Sequence, residues 1–532
     1  MLIKQNISAC VENRRESRGI SFAARFAFGL CTALFSLAVT ARTVNPDWFT
    51  PGSNATFPQY VEYNNELGRL GLFNENGPVE VEKHPFFEPV GKTGRACVTC
   101  HQPANAMSLS AASVERRWTD TNGADPLFAA IDGSNCPTLD QKDPASHSLL
   151  LKRGLIRVPL PWPPRQNGKA IQPEFTIEVV RDPTGCNVDK VYGLNSANPS
   201  ISVFRRPRMT ANLAFMSDNG FTRFPFAAKD GTAAPRNPET NKVASGHILA
   251  DGRMASVELQ AGAALRDHMG AEGAFAKAEL KQIVSFVEQL YAAQVFSNEA
   301  GSLVGDDGPP AFGPHNLART PKRFLGNDTE TPTFPMGNAW QNLDGRTPVA
   351  QQEYRMSVKR GQDVFFTRTF IQGEVMGWNS LGVGSPIKRT CSSCHNMAMA
   401  GNGWDPGFLD GAMDIGTTNL PWAKEPPRSP WSTQKPELPL FKITCRKDVI
   451  PHLYLGRIIY STDPGRALTT GLCRDVGTIT QTQMRGMAAR APYFTNGSAA
   501  NIRELIDFYD LRFQIQYTER EKLDLQHFLE SL

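Results

Sequence analysis

Apolar positions recur every three to four residues along several stretches of the chain. Leu280, Ile283, Val284, Val287 and Leu290 fall at i, i+3, i+4, i+7 and i+10, the spacing of one helix face. Ile502, Leu505, Ile506 and Tyr509 share a face in the same way. Near the end, Thr518 and Glu521 stand as a capping box ahead of Leu525, Phe528, Leu529 and Leu532. Gly361, within Val358–Phe366, suits close packing of a further helix. Between Gly301 and Gly345 the chain is dense in Gly, Pro, Asn and Asp and loses helical period, so residues 301–347 read as a connector. The pattern predicts a mainly α protein with long irregular loops. At the start, Arg14, Arg15, Arg18 and Arg25 precede an apolar run from Phe26 to Val39, then Val39-Thr40-Ala41. That run is shorter than the ~20 residues needed to span a bilayer. It reads as a signal peptide over residues 1–41, and so predicts a periplasmic or secreted protein with no membrane span after cleavage.

Composition narrows the picture only modestly. The 532 residues are 40% hydrophobic and 20% charged, enough for a sizeable core, and the net charge of +4 excludes a strongly basic nucleic-acid binder. The ten cysteines carry more information. Cys10 and Cys31 fall in the leader. Cys97-Val98-Thr99-Cys100-His101 and Cys391-Ser392-Ser393-Cys394-His395 both read C-x-x-C-H, the attachment pattern of c-type haem. Two thiols three positions apart on one turn can each add to a haem vinyl group, and His101 or His395 then reaches the iron. A pair of zinc knuckles would use the same thiols, but export and a histidine directly after the second cysteine both favour haem. Cys136, Cys186, Cys445 and Cys473 remain. An oxidising compartment favours pairing them, and Cys136–Cys186 with Cys445–Cys473 is the simplest of three connectivities. Two unlike halves with one haem each follow, residues 42–300 and 348–532.

Several stretches resemble the bacterial dihaem cytochrome c peroxidase superfamily, which includes the MauG-type enzymes. They are Arg360-Gly361-Gln362-Asp363-Val364-Phe365-Phe366, Thr462-Asp463-Pro464-Gly465-Arg466, Arg490 to Ser498, and Phe508 to Phe513. In the first half, Asp251-Gly252-Arg253 followed by Gln260-Ala261 and His268 resembles the family's D-G-R…Q-A region. The likeness is strong at the second motif and patchier at the first. It implies two cytochrome c-like haem domains, an electron donor or acceptor that is a small redox protein, and peroxide, oxygen or an organic substrate at the first haem.

The resemblance also implies site residues. Tyr509 falls where MauG-type members place the sixth ligand of the second haem, with Met484 and Met487 competing for that role and a packed core tyrosine as the plain reading. His268 falls where the family places a distal Glu or His. It could relay a proton between peroxide oxygens, bind the iron itself, or lie on a helix surface beside Arg266 and Asp267. Gln260 is a second pocket candidate. Arg253 is a candidate partner for a haem propionate or an ordinary salt bridge. The family's tryptophan before D-G-R is Ala250 here, and Thr495 replaces a common histidine. Phe221, Phe224 or Phe226 could occupy the tryptophan's space, but phenylalanine carries holes poorly. The peroxidases hold Ca2+ between their haems, whereas no local acidic loop of this chain establishes one. Two other functions fit the same motifs: a non-enzymatic electron carrier with both irons closed, and a dihaem oxygenase acting on a hydrophobic substrate.

Overall fold

Strands form where β-branched and aromatic residues alternate with polar ones. Phe175–Arg181 (Phe-Thr-Ile-Glu-Val-Val-Arg) and Leu440–Cys445 (Leu-Phe-Lys-Ile-Thr-Cys) both alternate buried with more exposed positions. The computed structural model describes residues 47–166, 168–214, 248–254, 256–273, 275–305, 309, 312–319, 338–340, 343, 347–375, 384–393, 395, 409–410, 436–480 and 482–532. The leader, Cys394, and Phe221, Phe224 and Phe226 lie outside them.

In chain order the longer strands are β1 (Tyr60–Asn65), β2 (Gly68–Asn74), β3 (Ile156–Pro161), β4 (Phe175–Arg181), β5 (Ser200–Arg205), β6 (Leu290–Ser297), β7 (Leu440–Cys445) and β8 (Ile458–Ser461). The longer helices are α1 (Ala111–Thr121), α2 (Val257–Asp267), α3 (Lys277–Glu288), α4 (Val349–Thr367), α5 (Ile502–Phe513) and α6 (Glu519–Glu530). Every pairing among these strands is antiparallel. β1, β2 and β6 join the short strand Gly301–Ser302 in a four-stranded sheet. β3 pairs with β5, and β4, β7 and β8 form a three-stranded sheet. That last sheet draws β4 and β7 together from distant parts of the sequence, with Ile177 opposite Ile443. Residues Asp47–Leu532 make one compact unit.

This corrects the expected fold class. Helix accounts for 32% of the structure and strand for 22%, so the protein is not mainly α, and cytochrome c-like domains are not evident. The reason is visible locally: the period-two segments were strands, outnumbering what helical spacing alone predicts. Leu290 shows the error at one residue. It continues the helical spacing of α3, yet the helix ends at Glu288 and Leu290 opens β6, opposite Asn74. The helical predictions that rested on caps and faces fared better. Thr518 Oγ1 accepts the Glu521 amide at 3.2 Å while Glu521 accepts the Thr518 amide at 2.8 Å, starting α6. Gly361 is where α4 meets α6: a Cβ there would lie 1.9 Å from the Asp524 carbonyl oxygen.

Three apolar clusters surround the motifs. One, built from β1, β2, α2 and α3, contains Cys97. A second, from α4, α5 and α6, packs against Cys391. The third fills the sheets β3–β5 and β4–β7–β8 and touches Cys100. Cys136–Cys186 and Cys445–Cys473 are both at bonding distance, with Cα atoms 5.1 and 5.8 Å apart.

Candidate functional site

Where they are described, the two C-x-x-C-H motifs share a local backbone shape. Cys97–Thr99 and Cys391–Ser393 each form a single 3-10 turn. In each, the histidine amide reaches back to the first cysteine's carbonyl at 3.1 Å, His101 to Cys97 and His395 to Cys391. The turn therefore presents the first cysteine and the histidine on one side, as attachment and ligation of one haem require.

The first turn is held from behind. The Gln102 side-chain amide donates to the carbonyls of Val98 and Phe49, at 2.7 and 3.0 Å, and its oxygen accepts the Phe49 amide. Ala106 and Met107 have φ of 54° and 58°, a left-handed pair that turns the chain back on itself. The Met107 carbonyl thereby comes to 3.1 Å from His101 Nδ1. A carbonyl only accepts, so the ring proton sits on Nδ1 and the Nε2 lone pair is left for a metal. Burial pushes the His101 pKa down to about 4, which keeps the ring neutral. It also pushes Cys97 and Cys100 up to about 12, so as free thiols they stay protonated. At the second turn burial lowers His395 to about 4 as well, and Phe365 lies 6.1 Å from its ring. The Tyr517 hydroxyl lies 3.7 Å from Cys391 Sγ.

Each turn opens on a cavity, and the two cavities meet. The first encloses about 2140 Å³ free of protein atoms, part of it continuous with solvent, and Cys97, Cys100 and His101 line it. The second spans about 600 Å³ free of protein atoms, part of it likewise open to solvent, and is lined almost wholly by apolar groups around Cys391 and His395. His395, Met484, Leu505 and Tyr509 line both. Tyr509 and Met484, two of the three ligand candidates for the second haem, thus stand together beside His395, whereas Met487 lines the first cavity only. Tyr509 projects from α5 among the rings of Phe494, Phe508 and Phe513.

The first cavity also gathers His268, Gln260 and Arg253. Ser256 caps α2, its hydroxyl accepting the Leu259 amide at 3.2 Å, and sets Gln260, Ala261, Ala264 and His268 along the cavity. His268 Nδ1 bonds the Asp132 carboxylate at 2.5 Å, so this is not a bare surface histidine. Arg253 lines the cavity and bonds Asp251 at 2.6 Å, an ordinary salt bridge. Ala250 also lines the cavity. Among the described residues no group of three or more His, Cys, Asp or Glu side chains converges as a metal site.

Sequence reading missed the arginines. Arg205, Arg206, Arg208 and Arg490 all line the first cavity, three of them from the run Arg205-Arg206-Pro207-Arg208. Arg205 is matched by two carboxylates, Asp463 at 2.6 Å and Asp251 at 2.6 Å. Among the described residues the Arg206 side chain instead donates to backbone carbonyls, of Arg153, Leu109 and Arg490. Arg490 donates to the Gln483 carbonyl, and its buried Nε has no partner among the described residues. Burial, joined by repulsion from Arg490, pushes Arg206 down to about 9, and burial pushes Arg490 down to about 10. A buried Arg206 and a partly buried Arg490, neither with a carboxylate among the described residues, are costly to hold charged unless an anion meets them. Haem carries two propionates, so the cradle of apolar walls, paired turns and buried guanidinium groups fits it. A basic run directly after a strand was the one sequence signal for this feature.

No family model, curated protein or solved structure matches the chain.

Proposed function

We propose that the chain is an exported protein with two covalent c-type haems, acting as a peroxidase- or MauG-like oxidoreductase. Peroxide or oxygen would react at the first haem, on His101, and the second, on His395, would store or deliver electrons to a small redox partner. The observation that carries this reading is the pair of matching C-x-x-C-H turns opening on cavities that meet at His395 and Tyr509. Bound haem supplies the one-electron chemistry. The protein's own residues do the rest. His101 offers Nε2 to the iron, Arg206, Arg490 and Arg253 offer charge to propionates, and the apolar walls exclude bulk water. His268 and Gln260 stand on the helix face that lines the first cavity, where a proton can be moved. Export is supported by the leader and by four cysteines paired outside the motifs.

Expression with a c-haem maturation system tests the proposal. The expected product carries two covalent haems by intact mass, with one high-spin ferric signal by electron paramagnetic resonance that changes on adding peroxide. A chain that acquires no covalent haem ends the reading, and two low-spin irons inert to peroxide would select the electron carrier instead. The apolar lining does not favour the oxygenase, because any haem crevice is apolar. At the second haem, Tyr509→Phe is expected to change the optical spectrum. An unchanged spectrum, together with a change in Met484→Ala, would transfer the ligand role to Met484.

A further inference from the structure

Asp132 bonds both a group beside the first attachment turn and the histidine across from it. The residue is 2% exposed and sits in the loop after Pro126–Phe128. One carboxylate oxygen takes the Arg95 guanidinium, and the other takes His268 Nδ1 at 2.5 Å. Arg95 lies two residues before Cys97, on the segment that carries the turn, while His268 ends α2. Both line the first cavity. Arg95 is itself enclosed, donating to the carbonyls of Pro126 at 2.7 Å, Leu127 at 2.5 Å and His268 at 3.2 Å. The loop closes this tightly because Gly133 has no side chain: a Cβ there would lie 2.2 Å from the Leu127 oxygen and 2.8 Å from Arg95 Nη2.

The arrangement sets the state of the imidazole. Burial alone would raise the Asp132 carboxyl, but Arg95 and then His268 outweigh it and hold it below its ordinary value. An ionised carboxylate only accepts, so the imidazole must present N–H at Nδ1. Nε2 makes no hydrogen bond among the described residues, and the ring is 28% exposed along the cavity.

We propose that Asp132 is a positioning residue that fixes His268 in the tautomer whose Nε2 accepts a proton from a ligand arriving at the first haem. The inference rests on the haem reading above. A carboxylate behind a histidine does the same in serine hydrolases, where its loss leaves the wrong tautomer. Arg95 adds a further element here, because it decides how a substitute side chain must face.

Asp132→Asn is the test. Arg95 needs an acceptor, so the amide oxygen stays toward it and the amide N–H is turned to Nδ1. The ring must then accept at Nδ1 and carry its proton on Nε2. The holoprotein variant is expected to react with hydrogen peroxide about 100-fold more slowly. Fluoride, which brings no proton and gains a donor, is expected to bind the ferric haem about tenfold more tightly. Carbon monoxide, which needs no proton transfer, should bind the ferrous haem as in the wild type. Both substitutions remove the charge beside Arg95, but Asp132→Asn keeps an acceptor oxygen for it, whereas Asp132→Ala also leaves Arg95 and Nδ1 without a side-chain partner and is the less suitable variant. A peroxide rate that does not fall, or a loss of peroxide, fluoride and carbon monoxide binding together, overturns the inference. So does a low-spin first haem that becomes high-spin in His268→Gln, because His268 would then be a ligand rather than a base. If covalent haem forms and His268→Gln slows the peroxide reaction but Asp132→Asn does not, the positioning role fails while the haem reading stands.

Discussion

At the scale of single residues, the buried charges of this protein differ in the partners they find. Asp251 is fully buried and bridges Arg253 and Arg205. Burial by itself would raise its carboxyl, but the two guanidinium groups hold it far below the ordinary carboxylate range. A depressed native pKa contributes stability that is complete above the unfolded value, about 3.9, and is lost as pH falls from there toward the native value. Urea midpoints should therefore drop below about pH 4, with less of a drop in Asp251→Asn. At pH 7 that variant should be about 3 kcal/mol less stable, since it strips a carboxylate from the buried Arg205, which keeps Asp463, and from the partly buried Arg253. The attachment turns were legible at this scale because a five-residue motif carries its own geometry. Asp132 was not, because its partner His268 lies 136 positions away and nothing near either residue announces the pair.

Elements record how far local pattern reaches. α5 and α6 could be read from face and cap, since Asn501 and Thr518 satisfy the first-turn amides within their own segments. The strands are also legible in pattern, since β4 and β7 alternate in the sequence as they do in burial. Their pairing is not, because register between segments so far apart depends on the finished core. The crossing of α4 and α6 gives a direct check. Gly361→Ala places a methyl group against the Asp524 carbonyl, and separating the helices should cost about 3 kcal/mol, measured by chemical denaturation. The same variant should disturb the surroundings of His395 more than those of His101, because α4 carries Phe365 6.1 Å from the His395 ring.

For the whole molecule, two covalent links reinforce a core that is distributed over three clusters. Cys136–Cys186 closes 50 residues and Cys445–Cys473 closes 28. Loop-closure entropy gives the first a contribution of about 4 kcal/mol, so Cys136→Ser with Cys186→Ser should lower the unfolding free energy by roughly that amount. An unchanged denaturation midpoint would show that the loop is already fixed by other contacts. Among the described residues no helix is long and apolar enough to cross a membrane. The sheet that joins β4 to β7 has a consequence for how the chain reaches its native state. β4 leaves the ribosome long before its partner exists, and the loop of the first attachment turn, through Asn105, meets Ala489 across 384 positions. Such contacts give a high contact order, and closing them is slow. Until residues 440–461 arrive, the β4 edge stays open to chance pairing with other chains, which makes late assembly the step most exposed to aggregation. The same delay leaves Cys97 and Cys100 uncovered by the C-terminal residues that later line their cavity, so the proposed haem attachment would have its opening in that interval.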